Sequence, residues 1–337
     1  SNIVQLNLDF KNNPLLSNIV RNVAFSKNLI IIAGLVFLVV EAYPSNGLFE
    51  MIKQNYPGSF SSVRDLFDYN LHITDKAVKA FYNFMGELNK LVLKAEPTFT
   101  HLFIKKLANM KKLKRVYTQN IDNLEEKAGL KFWNFEKFKR CQAQVVQLYR
   151  TLANLQCNVC TNVYSFTQEY CDIFTKGEIP NCTECEKREY KRNLQGKRKH
   201  TIEQLKLAVI LYSDKHPKKL EIGKIAAYNQ DKVDCLIIIG TSLRIPEVKC
   251  LIKKFTEAVH DRNGYMIIAN ATNVVTKEWN EIIDYQIKGT CDEWIKLIDM
   301  ELSNVKKSKK RKRNEIDCSL NFTNNNSLRN KKKSLTK

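Results

Sequence analysis

Three features of the chain predict an α/β fold, a doubly wound parallel sheet carrying a small zinc-binding module. Short β-branched apolar runs recur at Asn28–Ala33 (NLIIIA), Lys206–Tyr212 (KLAVILY), Val233–Gly240 (VDCLIIIG) and Gly264–Asn270 (GYMIIAN). Helical stretches separate them, the pattern of parallel strands buried on both faces by crossover helices. Two CxxC pairs, Cys157/Cys160 and Cys182/Cys185, interrupt that alternation with 21 residues between them.

Composition narrows the classes. At 337 residues the chain can bury a full core with room for a second module and a tail. Its net charge of +20 points to an anionic partner, nucleic acid or chromatin first. Much of that charge is local: from Ser303 to Lys337 twelve Lys and Arg residues face only Glu315 and Asp317. The run Lys306–Arg313 (KKSKKRKR) reads as a nuclear-localisation or nucleic-acid patch, or as a solvated tail. Ser1–Leu16 is polar, so no signal peptide is expected. The longest apolar run, Leu29–Val40, is shorter than the roughly 20 residues that span a bilayer, so no membrane partner is expected. Ten cysteines without a secretory signal favour metal binding over disulfides.

Along the chain, Asn28–Ala33 reads as a first buried strand meeting Gly34 at a turn where a phosphate could sit. Helical periodicity is clear from Asp75 to Ala95, and Pro97 ends it. Tyr117–Leu130 (YTQNIDNLEEKAGL) then runs from a strand through Gln119, Asn120 and Asp122 into a helix. Those polar groups either cap the helix or face a ligand at the strand's carboxyl end. Val145–Leu148 is a further short strand, Cys157–Tyr190 a cysteine-bearing insert, and Lys187–His200 an exposed basic loop. Lys206–Tyr212 reads as a return of the parallel strands, and Trp294–Leu302 as a last helix. In each CxxC, two thiolates face one ion from a tight turn. Two such turns close a tetrahedron of sulfur, a structural Zn(2+) site without an open position.

Taken together, YTQNIDNLEEKAGL, VVQLYRTL before the first CxxC, the second CxxC, LYSDKHP, IIIGTSLRIPEVK and NAT at Asn270–Thr272 resemble the sirtuins, NAD-dependent protein-lysine deacylases. The resemblance covers about Asn28 to Asp299, and GTSLRIPEVK with CDEW at Cys291–Trp294 looks most like the fungal nuclear enzymes that deacetylate histones. It implies a Rossmann-like NAD domain at 28–302 with the zinc module at about 153–200, an N-terminal extension at 1–27 and a basic tail at 303–337. It further implies that Ala33 and Gly34 begin the phosphate loop, that Gln119, Asn120 and Asp122 surround the nicotinamide and its ribose, and that Gly240, Thr241 and Ser242 receive the adenosine phosphate side. Asn270 would meet the adenine ribose and the backbone at Cys291 the adenine. Leu211–Asp214 would form one wall of the acyl-lysine channel. Acetylated protein lysine, histone above all, is the implied substrate, chromatin the partner and the nucleus the location.

Two places depart from the family's pattern. Where it has its catalytic His followed by Gly, this chain has Tyr149 and Arg150. An imidazole near 6.5 takes a proton at neutral pH, whereas a phenol near 10 is a poor base. Between Gly34 and the ending Ser45–Phe49, the chain reads LVFLVVEAYP where the family has a glycine-rich phosphate loop. Two functions follow: an NAD-dependent histone deacetylase using Asn120 and Tyr149, or a sirtuin-like chromatin and peptide binder without turnover.

Overall fold

The computed structural model describes residues 2–5, 13–34, 47–133, 143–212, 214 and 216–305. The expectations for Leu35–Pro44, Ser45, Asn46, Ser213 and the basic run after Val305 fall outside the described residues. Ten strands lie within them: β1 (Asn2–Gln5), β2 (Leu29–Ala33), β3 (Leu113–Thr118), β4 (Val145–Gln147), β5 (Arg150–Gln156), β6 (Val163–Ser165), β7 (Lys206–Val209), β8 (Cys235–Ile239), β9 (Tyr265–Asn270) and β10 (Tyr285–Lys288). Seven form one sheet in the order β1-β10-β9-β8-β2-β3-β4, with every neighbouring pair parallel. From β2 the chain winds outward to β3 and β4, then returns to β8 on the other side of β2. The β2/β8 boundary is therefore the topological switch point, where such sheets open a crevice at the strands' carboxyl ends.

The sheet is apolar on both faces because helices cover both. Leu29 and Ile31 pack in one layer with Leu16, Ile19 and Val20 of helix Pro14–Phe25, Phe103 and Ile104 of helix Phe99–Asn109, and Trp294 and Ile298 of the helix at 291–305. Ile30 and Ile32 face the opposite layer with Ile225 of helix Lys219–Gln230 and Ile252 and Phe255 of helix Pro246–His260. Alternate residues of one strand thus enter different cores, so the strand reads as an unbroken apolar run. Asn13 caps the first of these helices, its Oδ1 accepting from the Leu16 amide at 3.0 Å. The last helix extends beyond the predicted Trp294–Leu302 at both ends.

A second body stands beside the sheet. β6, β5 and β7 form an antiparallel sheet that packs with helices Asp75–Lys94 and Gln168–Thr175 around Phe81, Phe84, Leu155, Phe166 and Phe174. This corrects the reading of Lys206–Tyr212 as a parallel strand: β7 pairs antiparallel with β5. Within β7 only Ala208 is fully buried, since one face packs and the other meets solvent. The basic run at Lys187–His200 is corrected in part: it is helical to Leu194, within the helix Thr183–Leu194, and an exposed loop from there. Cys185 and Glu189, four residues apart, are buried on one side while Glu184 and Arg188 pair across the exposed side at 3.1 Å. Helix Asp75–Lys94 agrees with its predicted bounds, capped by Thr74 through the Ala77 amide at 3.1 Å. No helix among the described residues is long and apolar enough to cross a membrane.

Candidate functional site

Strand register brings the predicted pocket residues to one level. Ala33 pairs with Thr118 and Ile239, and Ile239 with Ala269, so the residues that follow these strands emerge together at the crevice. The ladder continues one step further, with Gly34 N–H donating to Ile239 O (2.7 Å), Gln119 N–H to Ala33 O (2.8 Å) and Gly240 N–H to Ala269 O (3.1 Å).

Two glycines line the switch point for different reasons. Gly240 has φ +64°, where a side chain would be strained. A Cβ on Gly34 would lie 2.4 Å from Gly240 O and 2.5 Å from Thr241 Cα, so the two backbones touch only because Gly34 has no side chain. Gly34→Ala must push the Gly240–Thr241 turn away, at a cost of about 1–3 kcal/mol. We expect a lower melting temperature and, if this turn holds the NAD that the resemblance implies, at least tenfold weaker NAD binding by calorimetry; unchanged affinity would count against that placement.

Across the crevice, Gln119 Nε2 donates to Thr241 Oγ1 at 3.1 Å, tying the β3 loop to the β8 loop in a buried bond. Asn120 is 6% exposed; its amide N–H donates to Thr118 Oγ1 at 3.1 Å, while its side-chain Oδ1 is buried without a partner. A buried amide oxygen with no donor is costly unless a ligand supplies one. Asp122 fulfils the capping alternative, its Oδ1 accepting from the Leu124 amide at 3.0 Å. Asn270 is 9% exposed and donates to Thr272 O at 3.4 Å, whereas Ser242 is exposed. Cys291 Sγ sits 3.9 Å from Ala269 O, at the far rim.

Beneath this rim lie two buried ionisable groups that the sequence did not single out. His101 takes the Thr98 amide on Nδ1 at 3.2 Å, and burial lowers its pKa against the opposing pull of Asp122 and Asp292. Glu125 is 1% exposed, with no ion-pair partner among the described residues and only the Thr118 hydroxyl beside its carboxylate. Burial, and then the Asp122 charge, push its carboxyl up to about 7. Because the folded pKa is raised, the folded protein holds a proton that the unfolded chain releases from about pH 4.5 upward. Stability is favoured on the acid side and falls as pH rises through that window. Glu125→Gln should abolish this loss. Relative to wild type it should gain on the order of 3 kcal/mol between pH 4.5 and 8 in urea melts; parallel pH profiles would refute the assignment. LEEK alone does not say which glutamate points inward.

Tyr149 occupies the third side. Its ring meets Tyr212 edge-on, with centroids 5.7 Å apart and planes at 86°. Phe67, Gln119, Ile121, Tyr149, Val209, Ile210 and Tyr212 surround a cavity of only about 10 Å³, room for about one water. Burial, then Tyr212 and Glu247, raise the Tyr149 phenol above its ordinary value, away from use as a base. Arg150 has φ +60°, the left-handed conformation that favours glycine, so it holds a glycine's backbone shape with an arginine side chain. His216 is half-buried, and its Nδ1 accepts from the Lys218 amide at 2.9 Å.

The four thiols predicted to share an ion meet on the second body. Sγ atoms of Cys157, Cys160, Cys182 and Cys185 all lie within 4.8 Å of one another, with Cys157–Cys185 at 3.6 Å and Cys160–Cys182 at 3.4 Å. Ligands 2.3 Å from a tetrahedral zinc stand roughly 3.8 Å apart, so the cluster needs little change to take the ion. Burial disfavours thiolate at both second-pair residues. At Cys182 the Tyr164 hydroxyl (3.1 Å) and the Cys185 amide outweigh it and lower the pKa, while at Cys185 burial prevails and raises it. Cys171 is apart from the cluster, its Sγ accepting from Asn89 Nδ2 at 3.3 Å.

Comparison with known proteins agrees with this geometry. The Sir2 family model matches residues 39–247. The NAD-dependent histone deacetylase HST3 of Saccharomyces cerevisiae is 36% identical over 273 residues, 77% of this chain and 60% of the relative. HST3 of Candida albicans is 33% identical, covering 86% of this chain and 63% of its own length, and HST4 of Saccharomyces cerevisiae is 32% identical, covering 81% and 76%. The chain thus spans about three-fifths of the two HST3 relatives. A crystal structure of a Sir2 homologue with NAD superposes with TM-score 0.59 at 20% identity, over 85% of this chain and 94% of that one. A crevice at the switch point, a four-thiol cluster on a separate small sheet, the family match and the shared fold have one reading: the chain belongs to the Sir2 family, the sirtuins.

Proposed function

We propose that the chain is an NAD-dependent protein-lysine deacetylase that acts on histones in the nucleus. The observation that carries this reading is the switch-point crevice, where the Gly34–Gly240 contact and the unpartnered Asn120 Oδ1 converge. Its groups suit NAD: the glycines let the backbone come close to a pyrophosphate, their own N–H groups being bonded to Ile239 O and Ala269 O, and hydroxyl and amide side chains stand ready for the riboses. Ala33, Gly34, Gln119, Asn120, Asp122, Gly240, Thr241, Ser242, Asn270 and the Cys291 backbone would hold it. When bound, NAD supplies the ADP-ribosyl group that accepts the acyl group as nicotinamide leaves. The chain's own part is to orient that group through Asn120, while the contact between Tyr149 and Tyr212 would have to open to admit the acyl-lysine. Cys157, Cys160, Cys182 and Cys185 would hold a structural zinc, and the relatives' names support histone as substrate.

Tyr149 favours a second reading, an NAD- and peptide-binding chromatin protein without turnover, because the narrow cavity offers no base. Calorimetry with NAD and a nicotinamide-release assay on acetylated histone peptide separate the two. Slow, peptide-dependent release is expected. Binding of NAD and peptide with no release selects the second reading, and absence of NAD binding overturns both.

A further inference from the structure

At the opposite end of the sheet a larger cavity opens, and the reading above does not use it. It measures about 320 Å³ and is lined by Ala108, Lys111, Leu113, Lys114, Arg115, Ala143, Gln144, Tyr228, Asn229 and Lys232. It sits where β3 and β4 begin, one six-residue strand, roughly 20 Å, from the crevice. Four cations line it, and no carboxylate does among the described residues. Arg115 forms the inner wall at 3% exposure, with Nη1 donating to the Ala143 carbonyl. Tyr228 is 38% exposed at the rim, with Lys232 Nζ 5.3 Å from its ring centroid.

Helices Phe99–Asn109 and Lys219–Gln230 both end at this cavity, so part of the positive charge answers their carboxyl ends. Two such ends carry on the order of one negative charge, less than the charge of Lys111, Lys114 and Lys232 alone. A positive excess lining a volume fit for a small ligand suits an anion, and an exposed ring beside it is a surface on which a base can stack.

We propose that this basal cavity binds a nucleotide unit, its phosphate held by Lys111, Lys114 and Lys232 and its base laid on Tyr228. The unit comes either from a free nucleotide or from single-stranded nucleic acid, and the chemistry of recognition is the same. This site is separate from the NAD crevice, and NAD affinity is expected to be unchanged when it is altered.

The test uses the full chain and a fluorescent eight-residue thymidine oligonucleotide, read by anisotropy at physiological salt. Lys114→Glu with Lys232→Glu should weaken binding at least tenfold, while the same charge change at Lys94 and Lys254, away from the cavity, should weaken it no more than twofold. Tyr228→Ala should cost at least fivefold. Equal losses in the two double variants would overturn the proposal, because net charge and the common tail would then explain the binding. Should the glutamate variant melt early, Lys114→Gln with Lys232→Gln carries the same comparison. Displacement by thymidine monophosphate identifies the free nucleotide as ligand; displacement only by unlabelled strand identifies nucleic acid.

Discussion

Tyr149→His, combined with Arg150→Gly, should raise nicotinamide release from acetylated histone peptide by roughly 100- to 10,000-fold, the range that a general base contributes. The phenol at 149 is half-buried, stands near Tyr212 and Glu247, and has its pKa raised, so it keeps its proton at neutral pH. An imidazole in its place titrates near 6.5, so the gain should be small at pH 5.5 and full by pH 7.5. A smaller ring would also widen the 10 Å³ cavity that Tyr149 now closes against Tyr212. The second substitution supports the first: Arg150 stands at φ +60°, where glycine relieves roughly 1–2 kcal/mol of strain, though it gives up the Arg150 Nη1–Gln156 Oε1 bond of 3.3 Å. Because Tyr149 shares the small cavity with Gln119, NAD affinity is measured alongside turnover. If the double variant binds NAD and peptide yet releases nicotinamide no faster, the missing base is not what limits turnover.

Removal of the metal should have the largest structural effect. Structural zinc contributes on the order of 10–16 kcal/mol of apparent binding energy in small zinc modules, more than a domain's usual net stability. Here Cys157, Cys182 and Cys185 belong to the same apolar cluster as Leu155, Phe166 and Phe174, and that cluster continues into Phe81, Phe84 and Met85 of helix Asp75–Lys94. Chelation, or Cys182→Ser, should therefore release hydrogen-exchange protection in β5, β6, β7 and that helix. β2, β3, β8 and β9, in cores of their own, should keep theirs. Mass spectrometry of the native chain should show one zinc. Purified protein with no metal and unaltered exchange would contradict the assignment.

Much of this was legible from local pattern. LIIIA and CLIII announce strands covered on both sides, and the two CxxC pairs announce a thiol cluster, because each depends on residue type at short spacing. KLAVILY misled for the same reason: an apolar run specifies a packed strand, and neither its sheet nor its direction is written in the run. KREYKRNL looked like a loop because its charges hide the single buried side that Cys185 and Glu189 share.

By itself, then, the sequence indicated β2, β3, β4, β8 and β9, the four-thiol cluster, the family and the departure from its pattern at Tyr149. Only the tertiary structure decided which carboxylate is buried, that Gly34 and Gly240 touch, that Tyr149 closes on Tyr212, and that Lys114 and Lys232 share a cavity. The physical reason is range: periodicity and ligand spacing act within about ten residues, whereas burial, close backbone contact and convergent charge are made between segments about a hundred residues apart.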